Sequence, residues 1–355
     1  METIFQLKDI VTPICEWYGK NHRSMPWRDA PSPYHVWVSE IMLQQTRIEA
    51  VKAYYAKFIE RLPQIRDLAE ISDEELLKLW EGLGYYSRVK NMKKAARLVM
   101  EEYDGALPDS YEELKKLPGI GNYTAGAVAS IAYRVPAPAV DGNVLRVLMR
   151  YLNCEEDIMK MALRHKVERS IMAVIPGDKP GDFNQGIMEL GETICIPNGM
   201  AKCEQCPIRE KCQARIQDRV MELPVKTQKK ARKIEKKTVF IPMQGSQVGI
   251  CKRSDRGLLA GLWEFPWVEG NFTKKILEEY LQEQDISYGN IQKLQPVKHI
   301  FSHVEWHMNG YCVEMKPDQA GKLTQDIVWV SKEELANDLA LPVAFQGFWK
   351  QIYEK

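Results

Sequence analysis

Two carboxylates in the first half of the chain have settings that suit general acid–base chemistry. Glu40 lies in YHVWVSEIMLQQT with apolar residues three and four positions away, so on a helix its carboxyl group emerges from an apolar face. Desolvation raises the pKa of such a group and favours its protonated form. Asp141, in VDGNV, is predicted to cap the next helix, where N–H groups and the helix dipole favour the ionised form. A partly exposed glutamate and an ordinary helix cap are the plain alternatives, but one neutral and one charged carboxyl form the pair that cleaves a glycosidic bond.

Four of the eight cysteines fall within eighteen residues, which predicts a single metal centre. They are Cys195, Cys203, Cys206 and Cys212, with seven, two and five residues between successive members. Thiolates bind both zinc and iron–sulfur clusters, so the spacing alone leaves both open. The compact placement and the proline directly after Cys206 favour a [4Fe–4S] cluster.

A third motif, SYEELKKLPGIGNYTAGAVAS, predicts two helices joined by a tight hairpin. Ser110 and Glu113 fit a capping box, Pro118 to Gly121 end the first helix, and the second begins near Tyr123. Glycines at 119 and 121 allow a ligand to approach the backbone, and the N–H groups that open the second helix suit a phosphate oxygen. The hairpin therefore predicts a contact with DNA backbone, with an ordinary helix–turn–helix connection as the alternative.

These motifs must be positioned by a chain of 355 residues and 41.0 kDa, which is long enough for two or three compact units. Up to Val225 apolar residues recur at helical spacing, and the longest predicted helix runs from about Pro33 to Arg61. The later runs TVFIPMQ, GICKR, YCVEM and DIVWV predict strands, and FTKKILEEYLQEQ predicts a helix. The expected fold is a mainly α first part followed by an α+β second part.

The net charge of +1 conceals one strongly basic stretch, KTQKKARKIEKK at 226–237, with seven basic residues and one acidic residue. It has almost no apolar residue to bury, which predicts a linker between the two parts, either as a solvated tether or lying on phosphates. No apolar run approaches the roughly 20 residues that cross a bilayer, and the first residues do not resemble a secretory signal. We therefore expect a cytoplasmic protein with no membrane contact.

Together, the motifs resemble the helix–hairpin–helix base-excision DNA glycosylases that carry an iron–sulfur cluster, and within them the adenine DNA glycosylases. The resemblance runs across nearly the whole chain in one order: SEIMLQQT, WEGLGYYSRVKN, LPGIGNYTAG, VDGNV, FNQGIMELG, the cysteine segment and FSHVEW. It implies a six-helix module over about 24–132, a cluster lobe from 1–23 and 133–225, the basic linker 226–237 and a Nudix-like domain over 238–355. It also implies a monomeric DNA repair enzyme that flips out adenine mispaired with 8-oxoguanine or guanine and hydrolyses it from duplex DNA, leaving an abasic site.

The same resemblance implies a role for each matching residue. Glu40 would protonate adenine N7, Asp141 would stabilise the positively charged sugar, Asn143 would hold Asp141, and Tyr123 would hydrogen-bond near Glu40. The remaining predicted sites are the adenine pocket (Arg23, Trp27, Arg28, Gln185), the intercalating and backbone contacts (Gln45, Tyr85, Gly119, Gly121), the 8-oxoguanine contacts (Phe301, Ser302, His303) and the cluster ligands (Cys195, Cys203, Cys206, Cys212).

The sequence departs from the family pattern at two places, and two other functions remain as alternatives. Many members have six residues between the first two cluster cysteines, whereas IPNGMAK supplies seven, and the tail lacks the Nudix metal box. Recognition is therefore expected of the tail rather than nucleotide hydrolysis. The related glycosylase/lyases attack the sugar with a lysine where this chain has Tyr123, so a lyase is the second choice. A non-enzymatic, cluster-bearing binder of DNA structures would have no use for Glu40.

Overall fold

The computed structural model describes residues 4–29, 31–227, 231–316 and 326–353. The chain divides into two compact units. The first comprises Met1–Glu70 and Asn91–Gln228, and the second comprises Ile71–Lys90 and Lys229–Lys355. None of the helices in the described ranges is long and apolar enough to span a bilayer.

The first unit is helical, as predicted. Its helices are α1 (Lys8–Asn21), α2 (Pro26–Asp29), α3 (Pro33–Leu43), α4 (Ile48–Arg61), α5 (Ile65–Glu70), most of α7 (Ser87–Glu102), α8 (Tyr111–Leu114), α9 (Asn122–Ala127) with a π-helical turn over Val128–Ala132, α10 (Gly142–Tyr151), α11 (Met161–Met172), α12 (Pro180–Thr193) and α13 (Gln213–Ile216). Short 3₁₀ turns cover Cys203–Gln205 and Arg209–Lys211. The apolar faces of α1, α10, α11 and α12 form a core that includes Leu7, Ile10, Ile14, Val144, Leu148, Val167, Phe183 and Ile187.

The single helix predicted from Pro33 to Arg61 is wrong. It is two helices, α3 and α4, separated by Gln44–Arg47, and Gln45 within that break has a left-handed backbone with φ 60°. A non-glycine residue rarely adopts this conformation, and it cannot continue an α-helix. Ser32 caps α3 by accepting a hydrogen bond from the N–H of His35 at 3.1 Å, so the helix that carries Glu40 has a defined start.

The second unit is built on a mixed sheet, which confirms the predicted α+β part. Its strands are β1 (Lys233–Gln244), β2 (Gln247–Lys252), β3 (Trp263–Glu264), β4 (Trp267–Glu269), β5 (Tyr288–Lys293), β6 (Val297–Ile300), β7 (Val304–Met315) and β8 (Val328–Ser331). Within the described residues the sheet runs β3-β2-β1-β7-β5, with β4 beside β1, β6 beside β7 and β8 beside β2. Only the β1–β7 pairing among these is parallel. The helices of this unit are α6 (Asp73–Leu79), α14 (Lys274–Glu283), α15 (Lys332–Asn337) and α16 (Val343–Tyr353).

The basic stretch 226–237 does not form a linker throughout. Residues 228–230 lie outside the described ranges, but β1 begins at Lys233, so the last five residues of the predicted linker are strand. Lys233 to Lys237 pair in parallel register with Val304 to Met308 of β7. A strand partner about 70 residues away supplies the backbone hydrogen bonds that local composition does not reveal.

Residues 71–90, predicted to belong to the helical module, group with the second unit. Lys78 Nζ donates to the carbonyls of Ala336 and Leu339 at 2.7 and 3.0 Å, and Lys90 Nζ donates to the carbonyl of Ala260 at 2.8 Å. The carboxylate of Glu81 accepts from the Leu341 N–H at 2.9 Å. These long-range contacts, rather than any local pattern, place the segment with the sheet.

Candidate active site

A cavity of about 1320 Å³ in the first unit collects most of the predicted site residues. It lies among α2, α3, the hairpin before α9, and the helices α10 and α12. The predicted residues that line it are Arg23, Trp27, Arg28, Glu40, Gln45, Gly121, Tyr123, Asp141, Asn143 and Gln185. Residues up to 162 positions apart in sequence, such as Arg23 and Gln185, therefore line the same cavity.

Glu40 is buried in the cavity wall with 7% of its surface exposed. The Tyr123 hydroxyl donates a hydrogen bond of 2.5 Å to Glu40 Oε2. Burial raises the pKa of Glu40 to about 7, although the Tyr123 hydrogen bond acts in the opposite direction. Burial also raises the pKa of Tyr123 well above its usual value, so its hydroxyl keeps its proton and remains the donor. Glu40 can thus hold a proton near neutral pH, which a general acid requires.

Asp141 caps α10, as predicted, and accepts two hydrogen bonds. The Val144 N–H donates to Oδ1 at 2.7 Å, and Asn143 Nδ2 donates to Oδ2 at 2.8 Å. Burial raises the pKa of Asp141, whereas the hydrogen bonds from Val144 and Asn143 act to lower it and so favour the ionised form, as predicted for a helix cap. Asp141 has a backbone and an amide donor that Glu40 lacks, so of the two carboxyls its negative charge is the better stabilised by donors.

Glu189 is a site residue that sequence analysis did not single out. It is 1% exposed and pairs with both arginines of the predicted adenine pocket. Arg23 binds it through Nε and through Nη2 at 3.1 Å, and Arg28 Nη2 lies 2.9 Å from Oε2. Burial acts to raise the pKa of Glu189, but the hydrogen bonds from Arg23 and Arg28 outweigh burial and lower it. Its position one helical turn after Gln185 is the signal that could have identified it, because both then share a face of α12.

Arg146 is a second unpredicted residue, and it joins the site to the cysteine segment. This buried guanidinium donates from Nη2 to Asn143 Oδ1 at 2.8 Å and to the Gly191 carbonyl at 2.7 Å. Its Nε donates to the Cys195 carbonyl at 2.8 Å. The residue that holds Asp141 is thus held by a side chain fixed to the first cysteine of the predicted metal centre.

The four cysteines predicted as ligands line one small cavity. Arg150 Nη1 lies 3.3 Å from Cys195 Sγ, and burial raises the pKa of Cys206 to about 12. Across the described ranges, no three His, Cys, Asp or Glu side chains form a group that could hold a single metal ion. The four cysteine side chains line this one space, and four thiolate donors are the set that a [4Fe–4S] cluster takes.

The hairpin has the backbone that its glycines predict. Gly119 has φ +80°, and a Cβ there would lie 2.7 Å from the Asn91 Cβ, so glycine is required on both counts. Ser110 caps α8 by accepting from the Glu113 N–H at 3.5 Å, and Gly121 is the N-cap of α9. Gly121 lines the large cavity, whereas the lining does not include Gly119.

The remaining predicted residues lie in the second unit. Phe301, Ser302 and His303 form the loop between β6 and β7, closed by a hydrogen bond of 2.9 Å from the Phe301 N–H to the Val304 carbonyl. The predicted wedge Tyr85 has a left-handed φ of 47°, and its hydroxyl lies 2.7 Å from Ser302 Oγ. The structure thus brings together one predicted wedge residue and one predicted 8-oxoguanine contact.

Two family models match the chain. The model described as HhH-GPD superfamily base excision DNA repair protein matches residues 38–173, and the NUDIX domain model matches residues 238–351. The first match covers the hairpin and both carboxylates of the site. The second covers nearly all of the α+β part, which confirms the predicted fold class.

Curated relatives extend the match over most of the chain. Adenine DNA glycosylase from Mus musculus is 34% identical over 91% of this chain and 74% of its own length. Adenine DNA glycosylase from Buchnera aphidicola subsp. Schizaphis graminum is 35% identical over 94% of this chain and 95% of its own length.

Solved structures match a little over half of the chain. A thermostable thymine-DNA glycosylase matches with a TM-score of 0.54 and 30% identity, covering 59% of this chain and 96% of that one. A trapped endonuclease III–DNA covalent intermediate, at 24% identity and a TM-score of 0.52 over 60% of this chain and 99% of that one, shares the fold. The chain therefore belongs to the adenine DNA glycosylase family, and it is a base excision DNA repair glycosylase, an enzyme that hydrolyses the N-glycosyl bond between a base and its deoxyribose.

Proposed function

We propose that this glycosylase excises adenine from duplex DNA where adenine is mispaired with 8-oxoguanine or guanine, and that it leaves an intact abasic strand. The observation that carries the proposal is the protonated state available to Glu40 near neutral pH, in the same cavity as Asp141. An adenine inside a duplex is out of reach, so it must be flipped out, and the cost of a few kcal/mol is smallest at a mispair.

The two carboxyls divide the work of bond cleavage. Glu40 donates its proton to N7 of the flipped adenine as the C1′–N9 bond breaks, and the bonding electrons leave with the base. The Asp141 carboxylate stabilises the positive charge that develops on the sugar. A water molecule then adds at C1′ and loses a proton, which restores neutral sugar and completes hydrolysis. General acid help of this kind contributes about 10²–10⁴ to the rate.

The cavity lining favours hydrolysis over a lyase reaction. A lyase needs an amine that attacks C1′ and forms an imine. Tyr123 cannot supply one, and the lining recorded for the described residues includes no lysine. We therefore propose a monofunctional enzyme.

The adenine pocket is proposed to select its base by shape and by fixed donors. Trp27 is buried in the wall and offers an apolar face, and Gln185 offers an amide for the edge of the base. Glu189 orients the guanidinium groups of Arg23 and Arg28, so these arginines are fixed before any ligand arrives. The left-handed backbones of Gln45 and Tyr85 are consistent with residues that fill the space left in the duplex.

The second unit is proposed to recognise the base opposite adenine. Ser302 and His303 are exposed on the β6–β7 loop and carry hydrogen-bonding groups that could contact the C8 carbonyl and N7–H of 8-oxoguanine. A contact of this kind discriminates by about 1–3 kcal/mol. The partner is double-stranded DNA, and we propose a monomer that acts in the cytoplasm.

We also propose that Cys195, Cys203, Cys206 and Cys212 hold a [4Fe–4S] cluster. The four thiolates would hold the cluster, and the metal–sulfur bonds would cross-link a segment whose regular structure is two short 3₁₀ turns. The extra residue between the first two cysteines lengthens that loop without removing a ligand.

One incubation tests the proposal against both rivals. Duplexes carrying adenine opposite 8-oxoguanine, guanine or thymine are incubated with the protein, then divided between alkali, borohydride and no treatment. We expect strand cleavage only after alkali, for the two mispairs only, and no covalent trapping by borohydride. Efficient trapping would support the lyase, and binding without alkali-labile sites would support the non-enzymatic binder.

A further inference from the structure

The first strand of the second unit holds the loop that carries the proposed 8-oxoguanine contacts. Arg232 Nε donates to the Phe301 carbonyl at 3.1 Å, and the Lys233 N–H donates to the His303 carbonyl at 3.3 Å. Both ends of the Phe301–His303 loop are therefore tied to the start of β1. The basic stretch that composition assigned to a linker is a support for this loop.

Trp306 is buried and packs against Phe301 of this loop. Its ring lies 4.8 Å from the Phe301 ring in an edge-to-face arrangement, and it is 2% exposed. Its indole N–H donates to Glu235 Oε2 at 3.1 Å, and Glu235 is its direct neighbour in the β1–β7 register. Glu235 of β1 therefore holds the orientation of Trp306, and Trp306 is the ring against which Phe301 packs.

Lys237 completes this support with a buried charge. It is 4% exposed, its Nζ lies 3.3 Å from the Trp267 ring centre and 4.7 Å from the Trp306 ring centre, and Glu235 Oε2 is 3.7 Å away. Burial lowers the pKa of Lys237, as expected where desolvation disfavours the charged form.

An apolar side chain would fill the same space without that desolvation cost. A cation differs from an apolar group in one respect that matters here: it is attracted to the face of an aromatic ring and not to its edge. Lys237 therefore favours the orientation of Trp306 that the hydrogen bond to Glu235 also stabilises. The positive charge of Lys237 therefore affects the orientation of the Trp306 ring and does more than fill space in the core.

We infer that Lys237 is a positioning residue for discrimination of the base opposite adenine, acting through Trp306 and Phe301 on the loop that carries Ser302 and His303. The inference rests on the proposed function of that loop. It makes Lys237 a determinant of specificity that does not itself contact DNA.

The test compares Lys237→Met with Lys236→Met in the full-length protein. Lys236 is the next residue of β1, is exposed, and has its side chain on the opposite face of the strand, so its variant loses the same charge without touching Trp306. Dissociation constants are measured for duplexes with 8-oxoguanine or guanine opposite an adenosine bearing fluorine at C2′, which resists hydrolysis. We expect Lys237→Met to reduce the preference for 8-oxoguanine by roughly fivefold to tenfold. Lys236→Met should weaken both complexes alike and leave their ratio unchanged.

Two further variants separate positioning from a general loss of folding. Lys237→Arg keeps a cation over the rings and should restore most of the preference. Trp306→Phe keeps a ring under Phe301 but removes the N–H that binds Glu235, so it should reduce the preference even if Lys237→Met is too unstable to assay. Wild-type preference in both Lys237→Met and Trp306→Phe would overturn the inference alone. A wild-type protein that binds the two duplexes equally would overturn the proposed function of the loop, and the inference with it.

Discussion

The first unit buries the carboxyl of Glu40 in a cavity wall, whereas the second unit exposes Ser302 and His303 at the end of a hairpin. Around Glu40 the buried neighbours alter proton affinity, because desolvation acts directly on the ionisable group. Around the β6–β7 loop the buried charge belongs to Lys237, which lies below the loop, whereas Ser302 and His303 are exposed. Burial of Glu40 thus favours proton transfer in the first unit, whereas burial of Lys237 bears on the position of the β6–β7 loop in the second.

We therefore expect substitutions in the two units to change different properties of the enzyme. A substitution at the carboxyls of the first unit should lower the rate of base release and leave the choice of opposite base alone. A substitution in the residues that support the β6–β7 loop should change the choice of opposite base. It should leave the rate of base release on the adenine:guanine mispair nearly unaltered. A variant that both slows base release and changes the choice of opposite base would contradict this division between the two units.

The largest effect is expected from Glu40→Gln, which keeps the shape of the side chain and removes its proton. The single-turnover excision rate should fall by at least about 10³, because general acid help and its fixed geometry are both lost. Affinity for mispaired duplex should stay close to that of the wild type. Glu49→Gln, an exposed carboxylate in the lining of the same cavity, serves as the control and should excise normally. Appreciable excision by Glu40→Gln would remove its role as the acid.

The next effect concerns the cysteine segment that supports Asp141. The purified protein should be yellow-brown with about four irons per chain, and Cys203→Ser should lower the iron content and reduce the melting temperature by several degrees or more. Excision should fall together with iron, because Arg146 joins the Cys195 carbonyl to Asn143. Cys154→Ser, at a partly buried cysteine outside the four-cysteine cavity, should change neither property. Stoichiometric zinc in a colourless protein would contradict the cluster.

A moderate effect is expected on the pH profile. Glu40 with a pKa of about 7 is protonated below that pH and ionised above it, so the excision rate should decline as pH rises through about 7. Tyr123→Phe removes a hydrogen bond that lowers the pKa of Glu40, so the declining limb should move to higher pH. Tyr111→Phe, at a tyrosine packed against Lys115 outside the cavity, should leave the limb in place. A shift of the Tyr123→Phe limb to lower pH would show that the tyrosine does not stabilise the ionised form.

A residue's setting can be predicted from the sequence where its near neighbours determine it. The caps at Ser110 and Asp141 were predicted from adjacent residues and are present in the structure. The sequence does not reveal partners that are distant along the chain: Glu189 pairs with Arg23 across 166 positions, and Lys78 donates to the Ala336 carbonyl across 258. Lys237 shows this most clearly, because a run of lysines predicts exposure to solvent, whereas Lys237 is buried in β1 beside β7.

The smallest effect separates the two partners of Ser302. Its hydroxyl lies 2.7 Å from the Tyr85 hydroxyl, so Ser302→Ala removes both that contact and the proposed contact with 8-oxoguanine. Tyr85→Phe removes only the former and keeps the ring that would stack in the duplex. If Ser302 contacts the oxidised base, Ser302→Ala should lower the preference for 8-oxoguanine over guanine by roughly fivefold, whereas Tyr85→Phe should leave the ratio near that of the wild type. The ratio is measured from the same pair of dissociation constants used for Lys237. An equal loss in both variants would show that the hydroxyl pair orders the loop and that Ser302 does not itself contact the oxidised base, because removing either hydroxyl would then have the same consequence.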